Sequence, residues 1–331
     1  MSPHPPPSHL ALHLAQLYRL ERFGECTRLY QQLIGAAADD FEAERHTNLA
    51  AAFAGAATVD PTSELVQAAP GIAKGTYELS YNEACFELAR GRVPAAIGAL
   101  ETATRLCRET LEEEGDLSEE DIEAELALIK VQLGVARQRN GEGSVAMELY
   151  TRVLKTKPDD ISLAAVASNN IVALNKDHDV FDSRKKVKAA TSDAVREKLT
   201  SVQRRTVDFN QCLLLMYSNQ GDACRKRCKE LQGLYPDSET PYLIQAALLL
   251  REKRSKQSVK CLQDYVSAVG GACERPQLVM AQTLLADGEL EAALSALTSV
   301  STLRHRPAVV RSWRGPTGTD LGVKAWRCLS M

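Results

Sequence analysis

The sequence predicts an all-α fold, a right-handed superhelical solenoid of antiparallel helix hairpins. Three observations point there. The 331 residues are rich in Ala, Leu, Glu, Lys and Arg, only 5% are aromatic, and alternating runs of β-branched residues are almost absent, so helix is favoured and no sheet is expected. The stretch from Leu126 to Pro158 fits a helix–turn–helix pattern with a period of about 34 residues, W-x2-L-G-x2-Y … A-x3-F … P. Leu133 and Gly134 fall on L-G, Ala146 and Tyr150 on A-x3-F, and Pro158 on the closing proline, while Lys130 and Arg137 depart from the two aromatic positions. Finally, the same small-then-bulky spacing recurs along most of the chain. One hairpin cannot bury its apolar face alone, so recurrence is what the physics requires.

Each element follows from this pattern. Residues 1–9, rich in Pro and His, read as a disordered leader, and the solenoid runs over 10–306. The first hairpin carries Leu10, Leu14 and Leu17 on one helical face, then Cys26 at the small position and Tyr30 at the bulky one. The Ala-rich helix of about 41–57 is followed by a short partner interrupted by Pro61, Pro70 and Gly71, which makes a degenerate repeat. Ala84, Gly91, Ala96 and Leu100 restore the pattern. The segment 112–125 holds nine carboxylates and no Lys or Arg; it lacks the D-x-D-x-D-G spacing of a calcium loop and reads as a solvated helix end and loop. Ser118, three residues before Asp121, predicts an N-cap. Residues 177–198 read as irregular and basic. Regularity then returns through Cys212, Gly221 in the turn, Cys224, Cys228 and Pro236, and continues through Ala246, Leu262, Ala281, Gly288, Ala293 and Leu297. The stretch 307–331 has no helical stripe and reads as a divergent, disordered tail. This recurrence is the signature of a tetratricopeptide-repeat solenoid.

The chemistry that the sequence excludes is broad. No Gly-rich phosphate loop, H-E-x-x-H or Cys–His pair is present, so no enzyme and no cofactor are expected. Cys224 and Cys228 lie four apart with Cys212 upstream and could face a metal together. With no C-x-x-C and no neighbouring histidine, packing accounts for them and no metal is expected. Nine scattered cysteines and no secretion signal predict reduced thiols and a cytoplasmic protein, and no apolar run approaches the roughly 20 residues needed for membrane insertion. A solenoid does offer a concave face lined by the first helix of each hairpin. By spacing, Tyr81, Asn169, Asn170, Phe209 and Met216 are groove candidates for a protein partner, and core packing is the competing reading for Phe209 and Met216. The run Arg184, Lys185, Lys186 and Lys188 could meet RNA phosphates, although the chain carries a net charge of -3 and the run has few interleaved aromatics. A chaperone-tail receptor of the carboxylate-clamp type is disfavoured, because Gly134 is followed by Val135.

Certain words in the sequence are not demanded by repeat packing. SNNIVALNKDHDVFDSRKKVK, YRLERFGECTRLYQQLI, DDFEAERHTNLAA, YNEACFELARG, AELALIKVQLG and FNQCLLLMYSNQGDACRK resemble the family of 72-kilodalton subunits of the signal recognition particle, over roughly Leu17 to Pro307. The resemblance implies a non-enzymatic scaffold. Its solenoid would dock the particle's 68-kilodalton subunit in co-translational targeting of secretory and membrane proteins to the endoplasmic reticulum, with nucleolar passage during assembly. In that family RNA binding resides in a Lys-rich region after the solenoid, which this sequence lacks, and the start also departs from the family. Contact with the particle's RNA is therefore expected to be indirect.

Overall fold

The computed structural model of the chain describes residues 7–36, 41–72, 75–115, 117–270 and 273–300. All regular structure among them is helical. The helices are α1 (Pro7–Arg19), α2 (Phe23–Ala36), α3 (Glu42–Val59), α4 (Glu64–Gln67), α5 (Tyr77–Ala89), α6 (Val93–Glu114), α7 (Glu119–Glu125), α8 (Ala127–Arg139) and α9 (Gly143–Lys155). They continue as α10 (Ile161–Asn175), α11 (Val180–Ala190), α12 (Asp193–Arg196), α13 (Ser201–Tyr217), α14 (Gly221–Leu234), α15 (Thr240–Arg251), α16 (Ser255–Val269), α17 (Glu274–Ala286) and α18 (Leu290–Thr298). Among the described residues two compact units result, one of those up to 175 together with 185–205, the other of 176–184 with 206–300. Within the first, α1 packs on α2, α2 on α3, α3 on α5, α5 on α6, α6 on α8, α8 on α9 and α9 on α10. Within the second, α14 packs on α15, α15 on α16, α16 on α17 and α17 on α18. Most of these helices thus rest on helices one or two places away in the sequence, the one-dimensional packing of a solenoid.

The hairpin core is a triad with fixed spacing. Its members are Leu14, Cys26 and Tyr30; Ala84, Ala96 and Leu100; Gly134, Ala146 and Tyr150; Cys212, Cys224 and Cys228; Ala246, Ser258 and Leu262; and Ala281, Ala293 and Leu297. Apart from Tyr30, which is half-buried, every one of these residues is buried. The first two members are mostly small because the helices cross closely there. A Cβ at Gly134 would lie 2.5 Å from Cε1 of Tyr150, which only a bare α-carbon allows. The crossing is near enough for a polar atom of the second residue to reach the first residue's carbonyl. The hydroxyl of Ser258 donates to the carbonyl of Ala246 at 3.0 Å, and the thiol of Cys224 to that of Cys212 at 3.6 Å.

The hairpin turns obey one rule as well. Five residues before the second triad member, the backbone is left-handed at Glu21 (φ 57°), Gly91 (φ 77°), Gly141 (φ 86°), Asn219 (φ 56°), Lys253 (φ 59°) and Gly288 (φ 81°). In each case that residue's N–H and the next one's return to carbonyls three and five residues back, as for Gly141 to Gln138 and Glu142 to Arg137. This is the Schellman closure of a helix end. Asn219, not Gly221, is therefore the turn residue of α13 and α14, and Gly221 instead opens α14.

Other expectations are corrected or confirmed locally. The stretch 177–198 is not irregular, since most of it folds as α11 and α12. The degenerate repeat holds, α4 being a single turn after the long α3. Ser118 caps α7 in a reciprocal capping box with Asp121. The acidic segment is more than a solvated end, because Arg108 of α6 binds Glu119 at 3.0 Å and Glu123 at 2.9 Å. Residues 7–9 of the expected leader are helical; its remainder and the tail at 307–331 lie outside the described residues.

Candidate protein-docking faces

The two departures from the repeat motif explain how neighbouring hairpins are joined. Lys130 occupies an aromatic position of the motif, is 7% exposed, and ion-pairs with Glu123 of α7. Its apolar stem fills part of the space an indole would take, while its ammonium reaches the pair. Arg137, at the other aromatic position, binds Glu101 of α6 and Glu142 beyond its own turn. Hairpins are further joined by Asn82, whose amide donates to the Thr47 carbonyl at 3.1 Å, and by Arg139, whose guanidinium donates to the Leu88 carbonyl at 3.0 Å.

The groove candidates fall into this same joinery. In the first unit, Tyr81 is half-buried against the cluster of Leu100 and Ile129 and hydrogen-bonds Cys85; burial pushes its hydroxyl well above the usual range. Asn169 is 3% exposed. Asn170 is half-buried and hydrogen-bonds Tyr150, whose own hydroxyl donates to Gln138 at 3.1 Å. In the second unit, Met216 is 1% exposed, and Phe209 stands edge-on to Tyr235 with ring centroids 5.5 Å apart. Asn169 and Met216 thus lie almost wholly in the packing. Tyr81, Asn170 and Phe209 keep part of their surface in water. The basic candidates lie on α11, where Arg184, Lys185 and Lys188 are exposed, Lys186 is half-buried, and the Arg184 guanidinium donates to the Ser218 hydroxyl at 3.3 Å.

Among the exposed apolar side chains that the groove candidates do not include are Leu128 on α8, 50% exposed, and Phe181 on α11, 73% exposed. An apolar residue one position off a buried stripe is the signal that finds Leu128, since it follows the buried Ala127. The second unit also holds a polar network that spacing does not reveal. Asp208, fully buried, accepts from Arg227 at 2.7 Å and from the Tyr235 hydroxyl at 2.7 Å. At the turn end of the same hairpin lies an open recess of about 420 Å³ between α13, α14 and α15, lined by Met216, Asp222, Arg225, Leu248 and Glu252. In the same unit the thiols of Cys212, Cys224 and Cys228 converge.

Stacked hairpins with a small-small-bulky triad and Schellman turns define a tetratricopeptide-repeat fold. A solved tetratricopeptide-repeat protein from Parabacteroides merdae superposes with a TM-score of 0.50 over 86% of this chain and 96% of its own, at 14% identity. No family model matches the sequence. Curated proteins do. The chain is 40% identical over 294 residues to signal recognition particle subunit SRP72 of Canis lupus familiaris and, equally, of Homo sapiens, covering 89% of this chain and 43% of each relative. It is 31% identical over 288 residues to the Caenorhabditis elegans subunit of the same name. The chain is a homologue of SRP72 over most of its own length, and it spans less than half the length of these curated relatives.

Proposed function

We propose that this chain is a non-enzymatic interaction scaffold of the signal recognition particle, docking the particle's 68-kilodalton subunit on the first-helix faces of its hairpins. The observation that carries the reading is the 40% identity to SRP72 across nearly the whole repeat region. The fold supports it, since a stack of hairpins presents a long surface on which an extended partner segment can lie. Tyr81, Asn170 and Phe209 are the proposed partner contacts among the groove candidates, joined by Leu128. The place of action is the cytoplasm, with the nucleolus during assembly and the endoplasmic reticulum surface during targeting. None of the described helices is long and apolar enough to cross a membrane.

The second reading is direct RNA contact, favoured by the exposed Arg184, Lys185 and Lys188 on one helix beside exposed Phe181. One experiment separates the two. The purified chain is captured on the 68-kilodalton subunit, then titrated with the particle's RNA at two salt concentrations. The expected result is capture of the subunit, weakened by Leu128→Arg with helicity unchanged, and no RNA binding without the partner. RNA affinity that falls steeply with salt and disappears in a variant carrying Arg184→Glu, Lys185→Glu and Lys188→Glu, with no capture of the subunit, overturns the docking reading in favour of RNA.

A further inference from the structure

The α13/α14 hairpin places cysteine at all three triad positions. Every other triad ends in a larger residue: Tyr30, Leu100, Tyr150, Leu262 or Leu297. Cys228 is smaller than any of these, so among the six triads this one alone carries a small, polarisable side chain at the third position. The three thiols are fully buried. Sγ of Cys212 lies 3.5 Å from Sγ of Cys228 and 3.9 Å from Sγ of Cys224, and all three sulfurs are within 4.8 Å of one another. Three sulfurs around one ion at a metal–sulfur distance of about 2.3 Å stand roughly 4.0 Å apart in a trigonal plane. Two of the separations therefore already match such a site to within about half an ångström.

We propose that Cys212, Cys224 and Cys228 form a buried three-sulfur site for a soft, thiophilic metal ion, monovalent copper being the ion whose coordination it fits. The choice of ion follows from the donor set. No His, Asp or Glu among the described residues joins the cluster. Zinc favours a fourth ligand, and the apolar side chains packed around the cluster, Met216, Leu231, Ile244 and Leu248, offer none. All-sulfur, low-coordinate sites select soft monovalent ions. Binding involves no redox step. Metal–sulfur bonds replace S–H bonds and the protons pass to solvent, so affinity falls as pH falls.

The fold itself supplies the control. A Cys212→Ala, Cys224→Ala, Cys228→Leu variant reproduces the side chains of the α5/α6 hairpin, Ala84, Ala96 and Leu100, and should fold without metal. The full chain, reduced and free of oxygen, is titrated with copper(I) held by a chromophoric chelator, with zinc(II) as a second probe. The expected result is one tightly bound copper(I) with three sulfur neighbours at about 2.3 Å by X-ray absorption. Copper should raise the melting temperature of the native chain and leave that of the variant unmoved, and the variant should bind at least about 100-fold more weakly. The proposal fails if the variant, shown folded by circular dichroism, binds copper equally well, if the native chain cannot compete with the chelator, if only two sulfurs surround the ion, or if zinc is preferred.

Discussion

The α8/α9 and α13/α14 hairpins share one backbone frame and fill it in opposite ways. In α8/α9 a single large ring does the filling: Tyr150 is fully buried, lies against the bare α-carbon of Gly134, and sends its hydroxyl to Gln138. In α13/α14 no large residue stands at that position. Its volume is taken by three thiols and by Met216, Leu231, Ile244 and Leu248, with the aromatic contribution displaced to Tyr235 at the helix end. Four residues before the first triad member the contrast is one of charge. Lys130 in the one hairpin pairs with a half-buried glutamate, and Asp208 in the other with Arg227. A repeat fixes where the space lies and leaves open which chemistry occupies it.

The contrast predicts unequal costs. Tyr150→Ala should lower unfolding stability by about 4 kcal/mol, because it opens a ring-sized cavity beside Gly134 that neighbouring backbone cannot close. Cys228→Ala should cost only about 1 kcal/mol, since it removes one small group. Urea denaturation of the two variants checks this, and equal losses would break the view that the two hairpins are filled differently.

The charged positions sharpen it at a smaller scale. Asp208→Ala should cost about 3 kcal/mol, taking from the Tyr235 hydroxyl its buried acceptor and leaving the Arg227 guanidinium with Glu230 alone. Lys130→Ala should cost roughly 1 kcal/mol, because Glu123 keeps Arg108 as a second partner. Thermal unfolding that ranks Lys130 above Asp208 would show that the ion pairs, and not their burial, set the cost.

The smallest effects lie in the turns. Gly141→Ala should destabilise by about 1 kcal/mol and Lys253→Gly should stabilise by a similar amount, since both backbones are left-handed and only glycine is unstrained there. If chemical denaturation gives both changes the same sign, the common turn geometry is not what governs these positions.

Much of this is legible in the order of residues along the chain. The small-then-bulky spacing locates Gly134, Ala146 and Tyr150, and the same arithmetic locates the three cysteines and the paired alanines, because a close helix crossing demands small side chains at a fixed interval. Ser118 announces its own cap, since a capping box is a purely local device. The turn of α13/α14 is harder to place, because Gly221 draws attention from Asn219; a left-handed residue need not be glycine when a Schellman closure holds it. The basic stretch after residue 176 looks irregular because polar residues outnumber apolar ones in it, yet it is helical in most of its length. The candidate docking faces are the least legible part. Asn169 and Met216 share their helical periodicity with exposed neighbours, and periodicity does not tell which side a neighbouring hairpin will cover.

The sequence by itself determined the class of fold, the hairpin count where the pattern is strong, and kinship with SRP72, because all three are carried by local spacing and by words of residues along the chain. Only the tertiary structure decided that Lys130 pairs with Glu123, that Asn170 is held by Tyr150, and that three thiols meet within a few ångströms. Those facts depend on distances between helices, which are set when side chains from separate helices compete for one closely packed space.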